Sequence, residues 1–163
     1  MDKALELLSF RARSENELER RLLRAEHSPS ATASALGRCR ELGYLDDHAF
    51  AVAHVRDRLR LRPKGRRALR SELYRKGIDA DLAEAAIDDA YAESGLDEAD
   101  LARSLARKRV KALTNLEPDV ARRRLWRYLA RRGFPPPVVR GVVAEAVPGA
   151  DPDPSGALAR PAD

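Results

Sequence analysis

One spacing recurs along this chain and constrains what it can fold into more than any other feature. Leu69, Leu73, Gly77, Ile78, Leu82, Ala86 and Ile87 return 56 residues later as Leu125, Leu129, Gly133, Phe134, Val138, Val142 and Val143. Moved back by 51 residues, the same pattern selects Leu18, Leu22, Glu26, His27, Ala31, Ala35 and Leu36. Repetition at this period marks a chain of stacked supersecondary units rather than one globule. Two leucines four apart lie on one helix face. A glycine then ends the helix in the left-handed region without a Cβ penalty, and the apolar residue after it packs back on the last turn. A second helix buries its own i, i+4 and i+5 positions. In the first copy Glu26-His27 replaces Gly-Ile or Gly-Phe. Glutamate tolerates positive φ poorly, so this corner is expected to be built differently, with Ser28 recapping the next helix.

Helix starts agree with the repeat. Ser14-Glu15-Asn16-Glu17 reads as a capping box. Ser28-Pro29 and Glu117-Pro118 place proline at a first helical position. Asp47, Asp79 and Asp97 stand where N-caps stand. A further helix precedes each pair, over 4–10, 48–61 and 98–112. Ala, Leu, Arg and Glu abound, aromatics make up 5%, and no run alternates as a strand would. The expected fold is all-α: three tandem three-helix repeats over 1–46, 47–95 and 96–147, forming an elongated, curved helical array. The Pro/Gly/Asp-rich stretch 148–163 has no apolar periodicity and is expected to be a disordered tail.

Charge is unevenly spread. Residues 1–46 carry eight basic and eight acidic groups, 47–95 ten and nine, 96–145 twelve and six, and 146–163 one and three. Between Arg56 and Lys76 ten basic groups face only Asp57 and Glu72, and between Arg103 and Arg140 twelve face only Glu117 and Asp119. Such stretches are the footprint of a polyanion partner. No segment approaches the ~20 apolar residues of a membrane span, and the start of the chain lacks the apolar core of a signal peptide. The single cysteine, Cys39, rules out an internal disulfide and a multi-cysteine zinc site. A soluble, cytoplasmic protein is expected.

Several segments resemble the bacterial RecX family. They are Ala4 to Leu18, then Leu42-Gly43-Tyr44-Leu45-Asp46-Asp47-His48-Ala49-Phe50-Ala51, and then Arg62-Pro63-Lys64-Gly65 leading into Glu72-Leu73-Tyr74-Arg75-Lys76-Gly77-Ile78. Tyr128-Leu129-Ala130-Arg131-Arg132-Gly133-Phe134 extends the likeness, which covers roughly residues 4–145 in the family's order. The resemblance implies three tandem three-helix repeats and a regulator that binds the RecA–DNA filament. It also implies restraint of RecA's ATP hydrolysis, strand exchange and co-protease activity, and so a part in homologous recombination, DNA repair and the SOS response. The alternative is a general helical DNA-binding or architectural protein acting without RecA.

Candidate contacts with DNA or RecA come from the basic helices. In a helix over 64–76, Leu69 and Leu73 face one side while Arg67, Arg70 and Tyr74 share the other at i, i+3 and i+7. Lys64 stands at its N-terminus, where backbone N–H groups favour an anion, and Arg62, Arg66, Arg75 and Lys76 complete the stretch. The third repeat adds Arg107, Lys108, Arg109 and Lys111, then Arg123, Arg127, Arg131 and Arg132. Six cations with no acid between Arg122 and Arg132 are unlike a salt-bridged surface, although an Arg-rich face can also be merely solvated. Tyr74 either stacks on a base or packs on arginine stems; Trp126 is expected in the core, with base stacking as the alternative. No Asn or Gln on these helices is placed to read adenine, so DNA contact, single- or double-stranded, is expected to ignore sequence.

Catalytic chemistry finds little support. His48 and His54 lie six apart on different helix faces, a poor metal pair. Asp46-Asp47 and Asp88-Asp89 are neighbours that point apart, as caps and solvated acids do. Pro63-Lys64-Gly65 lacks the glycine-rich loop and following Ser/Thr of a phosphate-binding P-loop. Cys39, flanked by Leu36 and Leu42, reads as core. A non-enzymatic monomer with no cofactor and no metal is expected.

Overall fold

A computed structural model describes residues 1–148. The expectation of a disordered tail therefore lies, Pro148 apart, outside the described residues. Among the described residues there are nine helices and no strand: α1 (Asp2–Phe10), α2 (Glu15–Arg24), α3 (Pro29–Glu41), α4 (Asp47–Leu61), α5 (Arg66–Arg75), α6 (Ala80–Ser94), α7 (Glu98–Val110), α8 (Pro118–Arg131) and α9 (Pro136–Ala146). They fall into three three-helix sets, as the repeat requires.

The leucine pairs form the core of each set. Leu18 and Leu22 of α2, Leu69 and Leu73 of α5, and Leu125 and Leu129 of α8 are all buried. Burying one such side chain contributes about 1.5–3 kcal/mol. In the helix after each corner, the buried register starts one residue later than the repeat alone suggests. Ala83, Ala86 and Ile87 are buried in α6 and Val139, Val142 and Val143 in α9, while Leu82 and Val138 are half-buried. In α3 the buried residues are Thr32, Leu36 and Cys39; Ala31 is exposed and Ala35 half-buried, correcting the expected face. Cys39 joins Ala4, Leu18, Leu22, Leu36 and Leu45 in one apolar cluster.

All three corners after the leucine helices have the same geometry. Ile78 N–H bonds to the Leu73 carbonyl, Phe134 N–H to that of Leu129, and His27 N–H to that of Leu22. Gly77 and Gly133 take φ values of +83° and +87°, and Glu26 takes +61°. The expectation of a different first corner is thus corrected. The 6→1 bond and the recapping of α3 by Ser28, which accepts from Ala31 N–H, hold Glu26 in the left-handed region in spite of its Cβ. The capping box is half formed: Ser14 Oγ accepts from Glu17 N–H, but the Glu17 carboxylate turns to Arg11 and Arg13. Asp79 and Asp97 cap α6 and α7. At α4 the cap is Asp46, one residue before the expected Asp47, whose carboxylate instead accepts from Glu15 N–H at 2.8 Å.

Contacts group the chain into two compact units. One comprises Met1–Arg58 and Leu69–Ser94; the other comprises Leu59–Ala68 and the chain from Gly95. In the first unit the Gly77 corner lies against the start of α2. Ser14 Oγ donates to the Lys76 carbonyl, and a Cβ on Gly77 would fall 2.2 Å from Asn16 Cβ. In the second unit the Gly133 corner lies against the start of α5. Gly65 N–H donates to the Arg132 carbonyl at 2.9 Å, and a Cβ on Gly133 would fall 2.4 Å from the Ala68 nitrogen. Left-handed φ and steric closeness act together at both corners. Gly77→Ala and Gly133→Ala are each expected to destabilise the fold by at least about 1–3 kcal/mol. Glu26→Gly, at an exposed corner with no such contact, is expected to stabilise it by about 0.5–1 kcal/mol. Urea unfolding followed by circular dichroism measures both signs.

Candidate nucleic-acid and partner interface

The structure divides the basic residues into those tied to the fold and those left on the surface. At the start of α5 they are tied. The helix begins at Arg66, not at Lys64, and the Arg66 N–H is already held by the Glu98 carboxylate at 2.7 Å. The anion-binding role expected of Lys64 and this helix start is therefore filled by a carboxylate from within the fold. Arg67 is exposed, as its position on the helix requires, but its guanidinium donates to the Ala130 carbonyl at 3.0 Å. Arg132 reaches back to the Pro63 carbonyl at 2.9 Å. Arg62 is exposed at the loop before α5. Farther along α5, Arg70 pairs with Glu84 of α6, while Tyr74 is 79% exposed and Arg75 is exposed. Lys76 is half-buried, with its ammonium 5.3 Å from the centre of the Phe50 ring.

The second unit presents a broader cationic surface. Arg123, Arg127 and Arg131 follow one another at i, i+4 and i+8 along α8, all exposed and with no acidic partner among the described residues. Arg107, Lys108 and Lys111, at the end of α7, are exposed in the same way. Their position at a helix C-terminus lets the helix dipole offset part of their mutual repulsion. Arg109 and Arg132 lie over the Tyr128 ring, at 5.4 and 4.9 Å from its centre. Stacking orders the exposed Arg109 guanidinium at the end of α7 at small entropic cost, whereas Arg132, half-buried and bonded to the Pro63 carbonyl, belongs to the fold. Arg103 belongs to the fold instead, bonded to Glu145 and Asp100. Arg122 is buried, paired with Asp119 and bonded to the Pro148 carbonyl. Trp126 is half-buried rather than a full core residue.

Four cations escaped the sequence reading. Arg11, Arg20, Arg21 and Arg24 line a cleft of about 320 Å³ together with Arg75, Lys76 and Glu17. The first repeat has no net charge, which hid them, because several of its acids are committed elsewhere. Glu15, for example, faces Arg40. The spacing of Arg20, Arg21 and Arg24 at i, i+1 and i+4, on one side of a helix, was the available signal. Burial pushes the Glu17 carboxyl up, yet hydrogen bonds and charge from Arg11 and Arg13 outweigh it and leave the group below its ordinary value.

Titratable groups elsewhere serve packing. Glu72 is buried and binds both His54 at 2.9 Å and Arg58 at 2.8 Å. His48 faces Asp89 at 3.1 Å. Among the described residues no group of three or more His, Cys, Asp or Glu is placed to hold a metal ion, and no helix is long and apolar enough to cross a membrane.

Comparison with known proteins gives these surfaces a context. Residues 1–39, 46–87 and 97–143 match, in order, the family models described as the first, second and third three-helix domains of RecX. The chain belongs to the RecX family. The Regulatory protein RecX of Amycolatopsis mediterranei is 36% identical over 140 residues, 86% of this chain and 78% of that protein. That of Pelodictyon phaeoclathratiforme is 33% identical over 154 residues, 94% of this chain and 92% of that protein. The crystal structure of RecX from Lactobacillus salivarius shares the fold with a TM-score of 0.78 at 21% identity, covering 89% of this chain and 92% of that one. Membership of the family carries a regulatory role.

The Glu72 network has a pH consequence. Burial lowers the affinity of His54 for a proton, the Glu72 hydrogen bond works against this, and the charges of Lys76 and Arg58 add to the lowering. The net effect leaves His54 below its ordinary 6.5. The unfolded chain therefore takes up a proton, as pH falls below about 6.5, that the folded chain refuses. Stability is expected to drop over that window, and His54→Gln, which keeps a hydrogen-bonding group without titrating, is expected to flatten the drop. Urea midpoints compared between about pH 7.5 and about pH 5.5 measure it.

Proposed function

We propose that this chain restrains RecA by seating on the RecA–DNA filament and holding the DNA phosphates through its arginine-rich helices without regard to sequence. What carries the reading, beside family membership, is the row of Arg123, Arg127 and Arg131 on α8, exposed and without acidic partners among the described residues. Cations kept unpaired on one face carry a repulsion that a polyanion relieves, and each phosphate they neutralise releases counterions. Arg107, Lys108 and Lys111 extend the positive field at the end of α7, and the exposed Arg109 is pre-ordered by Tyr128. The protein acts in the cytoplasm as a monomer, needs no cofactor and catalyses no reaction itself. ATP hydrolysis, strand exchange and co-protease activity of RecA are the functions it lowers.

Substoichiometric protein is expected to slow RecA's DNA-dependent ATP hydrolysis. An unchanged rate contradicts the reading, and DNA binding that is steeply salt-dependent yet indifferent to RecA favours an architectural protein instead. The triple substitution Arg123→Ala, Arg127→Ala, Arg131→Ala is expected to weaken DNA binding and to lower the slope of log affinity against log salt by about 2–3. Helical content measured by circular dichroism should stay the same.

A further inference from the structure

We propose that the first compact unit holds one nucleotide step of single-stranded DNA, with the base in the groove beside Tyr74 and the phosphate in the arginine cleft that shares Arg75 with it. The proposal rests on the nucleic-acid part of the reading above and is independent of RecA. Two concavities share a lining residue at the end of α5. One is an apolar groove of about 380 Å³, walled by Tyr74, Ile78, Ala80 and Ala83 and the stems of Arg70 and Arg75. The other is the cleft where Arg20, Arg21 and Arg24 of α2 approach Arg75 and Lys76. Arg75 lines both.

The chemistry of each half selects its occupant. The groove has the size of a small-molecule site, at the lower end of about 300–1,000 Å³. An aromatic ring left 79% exposed at its edge offers a stacking face for a flat, apolar group. Its one carboxylate, Glu84, is already paired with Arg70 and so does not repel an approaching anion. The cleft is cationic in excess. Glu17, its single acid, is shared among Arg11, Arg13 and Arg21, whereas Arg24 and Arg75 have no acidic partner among the described residues. Charge complementarity thus demands an anion of more than one contact point next to a flat apolar group, and a nucleotide joins the two covalently. In a duplex the bases are stacked and paired with each other, so only a single strand can give a base to Tyr74.

The test is fluorescence anisotropy with short labelled oligonucleotides of equal length: single-stranded, single-stranded with abasic sites, and duplex. The intact protein is expected to prefer the base-bearing single strand. Tyr74→Ala is expected to lower affinity for it about 5- to 150-fold while leaving the abasic strand unaffected, because stacking contributes about 1–3 kcal/mol per base. Tyr74→Phe should bind as the intact protein does, since a ring without the hydroxyl still stacks. Arg20→Ala, Arg24→Ala, Arg75→Ala together should weaken both single strands. A 2-aminopurine base is expected to be quenched on binding to the intact protein and not to Tyr74→Ala. Equal affinity for the abasic strand, or unchanged binding by Tyr74→Ala, overturns the proposal. If only the α8 triple substitution removes DNA binding, the proposed function stands and this site falls. If Tyr74→Ala abolishes inhibition of RecA but leaves oligonucleotide affinity intact, the groove takes a protein segment and the nucleotide assignment is wrong.

Discussion

The contact on which the structure depends is the seat of a tight helix corner against the start of a helix one repeat earlier. It is built twice by equivalent residues. Ser14 donates to the Lys76 carbonyl in one unit, and Gly65, 51 positions after Ser14, donates to the carbonyl of Arg132, 56 positions after Lys76, in the other. The next residue in each case, Gly77 or Gly133, has no space for a Cβ and needs a positive φ. A hydrogen bond to a carbonyl that the helix end leaves without a partner therefore sits beside a backbone that only glycine can supply. The first corner, Glu26, is exposed and makes no such seat among the described residues, so a side chain is tolerated there.

This joint also decides where several of the cations lie. Arg67 and Arg132, which look like surface cations when only helix faces are counted, are stapled to the carbonyls of Ala130 and Pro63 around the Gly65–Gly133 seat. The Gly77 seat brings Arg75 and Lys76 up to the arginines of α2. One kind of backbone contact thus ties some positive charges to carbonyls of the fold and gathers others into a cleft. The row on α8 is left untouched by either joint.

Much of the fold was legible because it rests on local signals. Leucines four apart, glycine corners, and Asp or Ser–Pro starts each carry their own physical cause, and three copies reinforce one another. What was not legible were features set by distant partners. The buried face of α3 depends on how its neighbours meet it, and the cap at Asp46 depends on Asp47 being drawn to the Glu15 N–H. The positive φ of Glu26 is enforced by hydrogen bonds rather than by residue type. In the candidate site, the acid-free run from Arg122 to Arg132 was visible in the sequence, but which of its cations stay exposed and unpaired depends on the fold around α8. The Arg20, Arg21 and Arg24 cleft did not follow from a segment-wise charge count, because neutrality of a segment says nothing about which face each charge occupies. Likewise, no count along the chain reveals that Glu98 fills the anion position at the start of α5.

If unpaired arginines on α8 meet the nucleic acid of a RecA filament, an electron cryomicroscopy reconstruction of RecA on DNA with this protein bound will show the contact. The expected result places Arg123, Arg127 and Arg131 within hydrogen-bonding distance of DNA phosphates. A reconstruction in which that face of α8 points to solvent, or in which the protein is absent from a saturated filament, contradicts this role of the α8 arginines.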